Sequence, residues 1–197
     1  MPRRKGIKGL KIINPKWTQR PELLLCPNTP KPLHGVVPRE ILGSKWWDNT
    51  RKEAYALTNY HCHACATPKL SVKGKRKHLE GHEIYNVEYE KGIMTYVETV
   101  ALCPFCHKYI HDGRLTALLH KRIITFQHFT SVIQHGDKVL STAGMKKKNK
   151  IKRDDEINLM IKQGKIPPWE EWRLILNGEE HPPKFKTIEE WKEAHDA

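Results

Sequence analysis

Two Cys-x-x-Cys pairs, Cys62/Cys65 and Cys103/Cys106, constrain this chain more than any other feature, and 37 residues lie between them. Four thiolates around one Zn2+ complete a tetrahedral shell and close it to further chemistry, so the pattern predicts a structural zinc site. A unit as short as residues 61–113 can draw much of its folding free energy from such an ion. No thioredoxin-like strand–helix–strand pattern surrounds either pair, which argues against a redox dithiol. The odd cysteine, Cys26, is expected to be a free thiol that is at least partly buried.

A second set of ligands overlaps the first. The last pair runs directly into His107, and His111 follows one helical turn later. Residues four apart share a helix face, so both imidazoles can reach one ion. Upstream, Leu79-Glu80-Gly81-His82-Glu83-Ile84 places His82 on a strand expected to pack against that helix. Three imidazoles leave coordination positions open to water and phosphate, which hydrolysis requires. A catalytic divalent ion (Mg2+, Mn2+, Ni2+ or Zn2+) is therefore expected at His82, His107 and His111, beside the structural Zn2+. An alternative is that His107 or His111 replaces one thiolate in the zinc shell.

Local patterns place these residues on elements. Six prolines within residues 1–37 forbid long helices there and predict an extended arm, anchored by Trp17 and Leu23-Leu24-Leu25. Pro38 suits a first helical turn and Gly43 a stop; Ser44 then caps a helix to about Tyr60, with Trp47, Ala54 and Tyr55 inward. Alternation over residues 79–102 predicts a β-hairpin turning at Glu90-Lys91-Gly92. Trp46-Trp47 is expected to pack on it. Leu115, Leu118, Leu119, Arg122, Ile123, Phe126, Phe129 and Ile133 follow helical spacing and predict one amphipathic helix over residues 115–135, ended by Gly136. The lysine-rich run after Met145 is expected to be mobile. Further helices are expected from Asp154 to Gly164, after Pro167-Pro168 with Trp169 and Trp172, and from a Thr187-Ile188-Glu189-Glu190 capping box with Trp191. The divisions are a basic Pro-rich arm and helix (1–60), the metal unit (61–113), the long helix (114–145), and a basic linker with short Trp-containing helices (146–197).

The net charge of +13 is unevenly spread. Basic residues outnumber acidic ones 12 to 4 in residues 1–60 and again in 114–165, whereas residues 166–197 reverse the balance at 4 to 8. Basic flanks around a near-neutral metal unit imply a polyanionic partner, bound through counterion release. Lys73, Lys75, Arg76, Lys77, Lys91 and Arg114 are the candidate phosphate contacts. The acidic tail can shield the basic flanks or bind a protein partner. No stretch approaches 18 apolar residues, and no apolar signal core follows the basic first residues. No membrane association and a cytoplasmic location are expected.

Taken together, Cys-x-x-Cys, Leu-Glu-x-His and Leu-Cys-x-x-Cys-His-x-x-x-His, from about Tyr60 to Arg114, resemble the HNH endonucleases of the ββα-metal (His-Me finger) group. The zinc-containing subtype, common in bacteriophage and bacterial proteins, is the most similar, and a bacteriophage origin would place the protein in the host cytoplasm. The resemblance implies an α+β fold: a ββα-metal unit stapled by a four-cysteine zinc site and flanked by helical basic extensions. It implies that this unit grips the minor groove of duplex or branched DNA. One divalent metal would sit between hairpin and helix, and hydrolysis would leave a 5′-phosphate and a 3′-hydroxyl. By position, His82, His107 and His111 match the metal-facing residues. The general-base position, a histidine in the family, holds Glu83, and the asparagine that orients that base falls near Glu98. The Leu-Glu-x-His-Glu version is similar to a branch of HNH-like proteins. Glu83 and His82 are therefore the expected catalytic residues. If Glu83 ligates the ion instead, His61, His63 and His78 are candidate bases. The competing expectation is a zinc-stabilised nucleic-acid-binding or adaptor protein with a degenerate site.

Overall fold

Proline spacing and strand alternation account for much of the architecture. The computed structural model describes residues 17–72, 78–146 and 154–196. In the N-terminal arm the prolines permit only two short 3-10 turns, Pro21–Leu25 and Lys31–Leu33. Leu23, Leu24 and Leu33 are fully buried, so the arm is built into the core. Helix α1 (Pro38–Leu57) begins with its proline in the first turn and breaks at Gly43, whose φ of 80° suits glycine, as expected.

Strands β1 (Glu80–Glu88) and β2 (Ile93–Leu102) form the expected antiparallel hairpin, reversed by Tyr89–Lys91 and a left-handed Gly92. The ladder sets His82 opposite Val100 and Glu83 opposite Thr99, and a bulge after Ile84 leaves Val97 without a partner. Successive side chains point to opposite faces. Ile84 accordingly joins one hydrophobic core, with Val100, Leu102, both Cys-x-x-Cys turns, Tyr109, Val132 and Leu140. Tyr85 joins a second core with Leu33, Met94, Trp172 and Leu174. Helix α2 (Pro104–Ile110) follows β2 immediately, giving the order strand, strand, helix.

The long helix expected from residue 115 is two helices, α3 (Asp112–His120) and α4 (Phe126–Thr142). Between them Arg122 takes a left-handed conformation (φ 55°), and the Thr125 hydroxyl accepts a hydrogen bond from the His128 N–H (3.1 Å), capping α4. A local cap and a β-branched Ile123-Ile124-Thr125 run override the apolar periodicity that made the segment read as continuous. Gly136 does not end the helix. It lies inside α4, where a Cβ would stand 2.1 Å from the Tyr109 ring. The glycine lets α2 and α4 touch, and Tyr109 donates a hydrogen bond to Asp137 there (2.6 Å). Gly136→Ala is expected to destabilise the protein by about 2–3 kcal/mol through overpacking, read as a lowered denaturant midpoint.

The C-terminal segment also departs from expectation. Helix α5 (Asp154–Lys162) ends before the left-handed Gly164 as anticipated. Trp169–Glu171, however, is one 3-10 turn, and it leads into strands β3 (Arg173–Leu176) and β4 (Glu179–His181). Asn177 and Gly178, both at positive φ, make the two-residue turn between them. The Asn-Gly pair was the missed signal. β3 pairs parallel with β2, giving a four-stranded sheet in the order β1-β2-β3-β4. Helix α6 (Ile188–Asp196) carries the expected cap: the Thr187 hydroxyl accepts from the Glu190 N–H (3.2 Å), and the Glu190 carboxylate accepts from the Lys186 N–H (2.7 Å). Lys31 lies 4.2 Å over the Trp191 ring, docking this acidic helix on the arm. The molecule thus mixes six helices with one small sheet among the described residues. No helix there is long and apolar enough to cross a membrane.

Candidate metal centres

The hairpin brings the two cysteine pairs together at its open end. In the first pair, the Cys62 N–H donates to the Thr67 carbonyl (2.9 Å), and the Ala66 N–H donates to the Cys62 carbonyl (2.8 Å). That turn is tied to the sheet by the His63 N–H on the Ala101 carbonyl (2.7 Å). In the second pair, Cys103 caps α2, its sulfur accepting from the Cys106 N–H (3.4 Å). The four sulfurs lie within 4.8 Å of one another, and Cys65 and Cys103 are 3.7 Å apart. A tetrahedron of metal–sulfur bonds of about 2.3 Å has an edge of about 3.8 Å, so the cluster fits zinc. Hydrogen bonds from Cys103 and then Cys106 hold the Cys62 and Cys65 thiols below their ordinary range. His135, on α4, reaches the cluster from outside, its Nε2 3.3 Å from the Cys106 sulfur. Sequence spacing gave no hint of it. Cys26 is half-buried against this core and forms no disulfide.

His82, His107 and His111 converge as their spacing suggested. Their ring centroids are 4.8–5.1 Å apart, and their ligating atoms lie within 4.8 Å of one another. His111 sits at the junction of α2 and α3, yet its N–H still bonds to the His107 carbonyl (3.2 Å), which preserves the one-turn spacing. Glu80 accepts a hydrogen bond from His107 Nδ1 and another from His78 Nε2 (3.2 Å). Burial pushes the Glu80 carboxyl up, but the bonds from His107 and then His78 outweigh it, so its pKa falls below the usual value. A carboxylate on Nδ1 leaves Nε2 of His107 as the free ligand atom, the arrangement that orients metal-binding histidines. Glu80→Gln is expected to weaken divalent-metal binding at the three histidines about 10- to 100-fold by calorimetry, with the zinc content unchanged. Glu80 stood in the Leu-Glu-x-His stretch, but only the fold assigns it a partner.

Glu83 occupies the other face of β1 and is 7% exposed. Burial raises its pKa against the field of Arg39, whose Nη1 stands 3.5 Å from Oε2. Its Oε1 is buried without a hydrogen-bond partner. The field of His107 also reaches this carboxyl. Glu98 does not face Glu83: it lies across the ladder from Ile84 and pairs with Arg20 of the arm at 2.5 Å.

His61 Nδ1 bonds to the Asn59 carbonyl (2.8 Å), His63 is buried against Trp17, and His78 is held by Glu80. Of the expected phosphate contacts, Lys73, Lys75, Arg76 and Lys77 lie outside the described residues, as does most of the lysine run after Met145. Lys91 is not near the histidines. It pairs with Glu88 (2.6 Å) at the far end of the hairpin, roughly 20 Å away at about 3.3 Å per residue. Arg114 is exposed on α3, three residues beyond His111. Trp46 and Trp47 pack on the hairpin as expected, against Tyr96 and Gly81 respectively.

These two clusters define a chain with a four-cysteine, zinc-compatible centre and an adjoining three-histidine group able to hold a metal ion. Comparison with protein-family models, curated proteins and solved structures finds no match.

Proposed function

We propose that this chain is a metal-dependent endonuclease of the HNH type, hydrolysing DNA phosphodiester bonds, with β1, β2 and α2 as its ββα-metal unit. The observation that carries this reading is the convergence of His82, His107 and His111 from a hairpin and the helix after it, with a buried carboxylate on the next strand residue. A binding module has no evident use for three mutually facing imidazoles. The histidine set suits a divalent ion, which when bound supplies Lewis-acid charge to a phosphate oxygen. Glu80 fixes the orientation of His107. Glu83 takes a proton from the attacking water as the new O–P bond forms; the carboxylate becomes a carboxylic acid, and the departing sugar oxygen is protonated by solvent. A carboxyl whose pKa is raised by burial is a stronger base than a solvated glutamate. Arg114 and the basic flanks attract the DNA backbone.

One observation favours a second reading, a non-catalytic nucleic-acid-binding protein: Glu98, at the position of the orienting asparagine, is committed to Arg20. Supercoiled plasmid incubated with Mg2+, Mn2+ or Ni2+ separates the two. Relaxation or linearisation that EDTA abolishes supports the nuclease. Retarded but uncut plasmid under every metal overturns it. Glu83→Gln is expected to lower the cleavage rate about 10^2- to 10^4-fold with circular dichroism and metal content intact; a near-wild-type rate would move the base elsewhere.

A further inference from the structure

Glu83 lacks the partner that the family pattern leads one to expect from β2, yet it is buried and ionisable, so something else must hold it. The candidate lies outside the hairpin and helix. Arg39, in the first turn of α1, places Nη1 3.5 Å from Glu83 Oε2, the one cation within ion-pair distance of that carboxylate among the described residues. Three observations make this a built arrangement. Gly81 shares the strand face of Glu83, and the Trp47 ring lies against it so closely that a Cβ would meet ring atoms at 3.0 Å. The Arg39 guanidinium in turn sits 5.6 Å from the centroid of the Trp47 ring. Gly81 thus admits Trp47, Trp47 carries Arg39, and Arg39 meets Glu83. The carboxylate itself is more than nine-tenths buried: one oxygen meets Arg39, and the other, Oε1, is buried with no hydrogen-bond partner.

We infer that Arg39 is the positioning residue for Glu83, an orienting group supplied from α1 in place of the missing one on β2. The inference rests on the reading of Glu83 as the base. The physical logic is that a carboxyl with one oxygen fixed can present the other in a constant direction, whereas an untethered one samples rotamers and loses the near-attack geometry. The Arg39 side chain is about half exposed, but a fork with several N–H donors can face solvent and still hold one carboxylate oxygen. Burial of Glu83 makes the choice of partner consequential. A lysine there would preserve the charge and lose the planar fork.

The test uses the full-length, metal-loaded protein on supercoiled plasmid, with DNA affinity measured separately by anisotropy in Ca2+. Arg39→Ala is expected to lower kcat about 10- to 100-fold while KM and DNA affinity stay within about twofold, and Arg39→Lys to recover part of the loss. Because Arg39 acts through Glu83, Arg39→Ala in a Glu83→Gln background is expected to cost nothing more. Gly81→Val, which displaces Trp47, is expected to reproduce the kcat defect. Raised KM and weakened DNA binding with kcat unchanged would make Arg39 a phosphate contact and overturn the inference. Additive losses in the double variant, or a wild-type rate for Arg39→Ala, would also overturn it while leaving the nuclease reading intact. A wild-type protein that cuts under no metal overturns both. Should Arg39→Ala misfold by circular dichroism, Arg39→Gln in the same double-variant comparison decides.

Discussion

His107→Ala is expected to reduce metal-dependent plasmid cleavage by at least about a thousandfold, to the level seen in EDTA. His107 is the best-supported member of the histidine group, lying 4.8 Å from His111 and 5.1 Å from His82 between ring centroids and being hydrogen-bonded to Glu80. Removing it leaves two imidazoles and a Glu80 carboxylate held, among the described residues, by His78 alone. On the proposed reading, the stabilisation of phosphate charge by the ion is worth several kcal/mol, and each factor of ten in rate corresponds to about 1.4 kcal/mol, hence the size of the loss. The cysteine cluster is separate from these rings, so one zinc per chain and the thermal unfolding profile are expected to persist. Residual cleavage within tenfold of wild type, measured after removal of contaminating nuclease on a second column, would exclude the histidine group as the hydrolytic centre.

Cys106→Ser, or stripping of the zinc by a strong chelator, is expected to abolish cooperative folding of the region from residue 61 to α2. Cys106 is fully buried, and its sulfur is one of four within 4.8 Å. A serine hydroxyl there neither ligates zinc comparably nor finds a substitute partner, and structural zinc contributes folding free energy directly. The damage is expected to reach the second centre, because Cys106 adjoins His107 and Cys103 caps the helix that carries both. Metal analysis should therefore find one tightly held zinc per wild-type chain and less than one for the variant, with near-ultraviolet circular dichroism lost in parallel. A variant that melts cooperatively at the wild-type temperature would show that the cysteines carry no structural load.

Local chemistry and long-range contact divide what could be read from the chain. The hairpin over residues 80–102 was legible because strand alternation and the Glu90-Lys91-Gly92 turn are local signals. The candidate metal ligands were legible as clusters because their spacing is itself a geometric statement, and the capping box at Thr187 is four consecutive residues. The break between α3 and α4 was not legible: the apolar period continues across it, and only the Thr125 cap and the left-handed Arg122 interrupt the helix. Gly136 misled because glycine serves both to end helices and to admit a neighbour, and the Tyr109 ring that decides between them comes from 27 residues upstream. The β3–β4 hairpin was obscured by tryptophans and prolines that suggested a helix start.

By itself the sequence determined that one cysteine pair and three histidines would sit on a hairpin and the helix after it, with the other pair upstream, since ligand spacing and strand periodicity act over a few residues. Only the tertiary structure decided which carboxylates serve those groups. Glu80 contacts His107, Glu98 turns to Arg20, and Glu83 meets Arg39. Outside a helix cap, these carboxylates carry no spacing rule. Each takes whichever cation or N–H the packing of distant segments brings within about 3 Å, and that packing is set by burial of the whole chain.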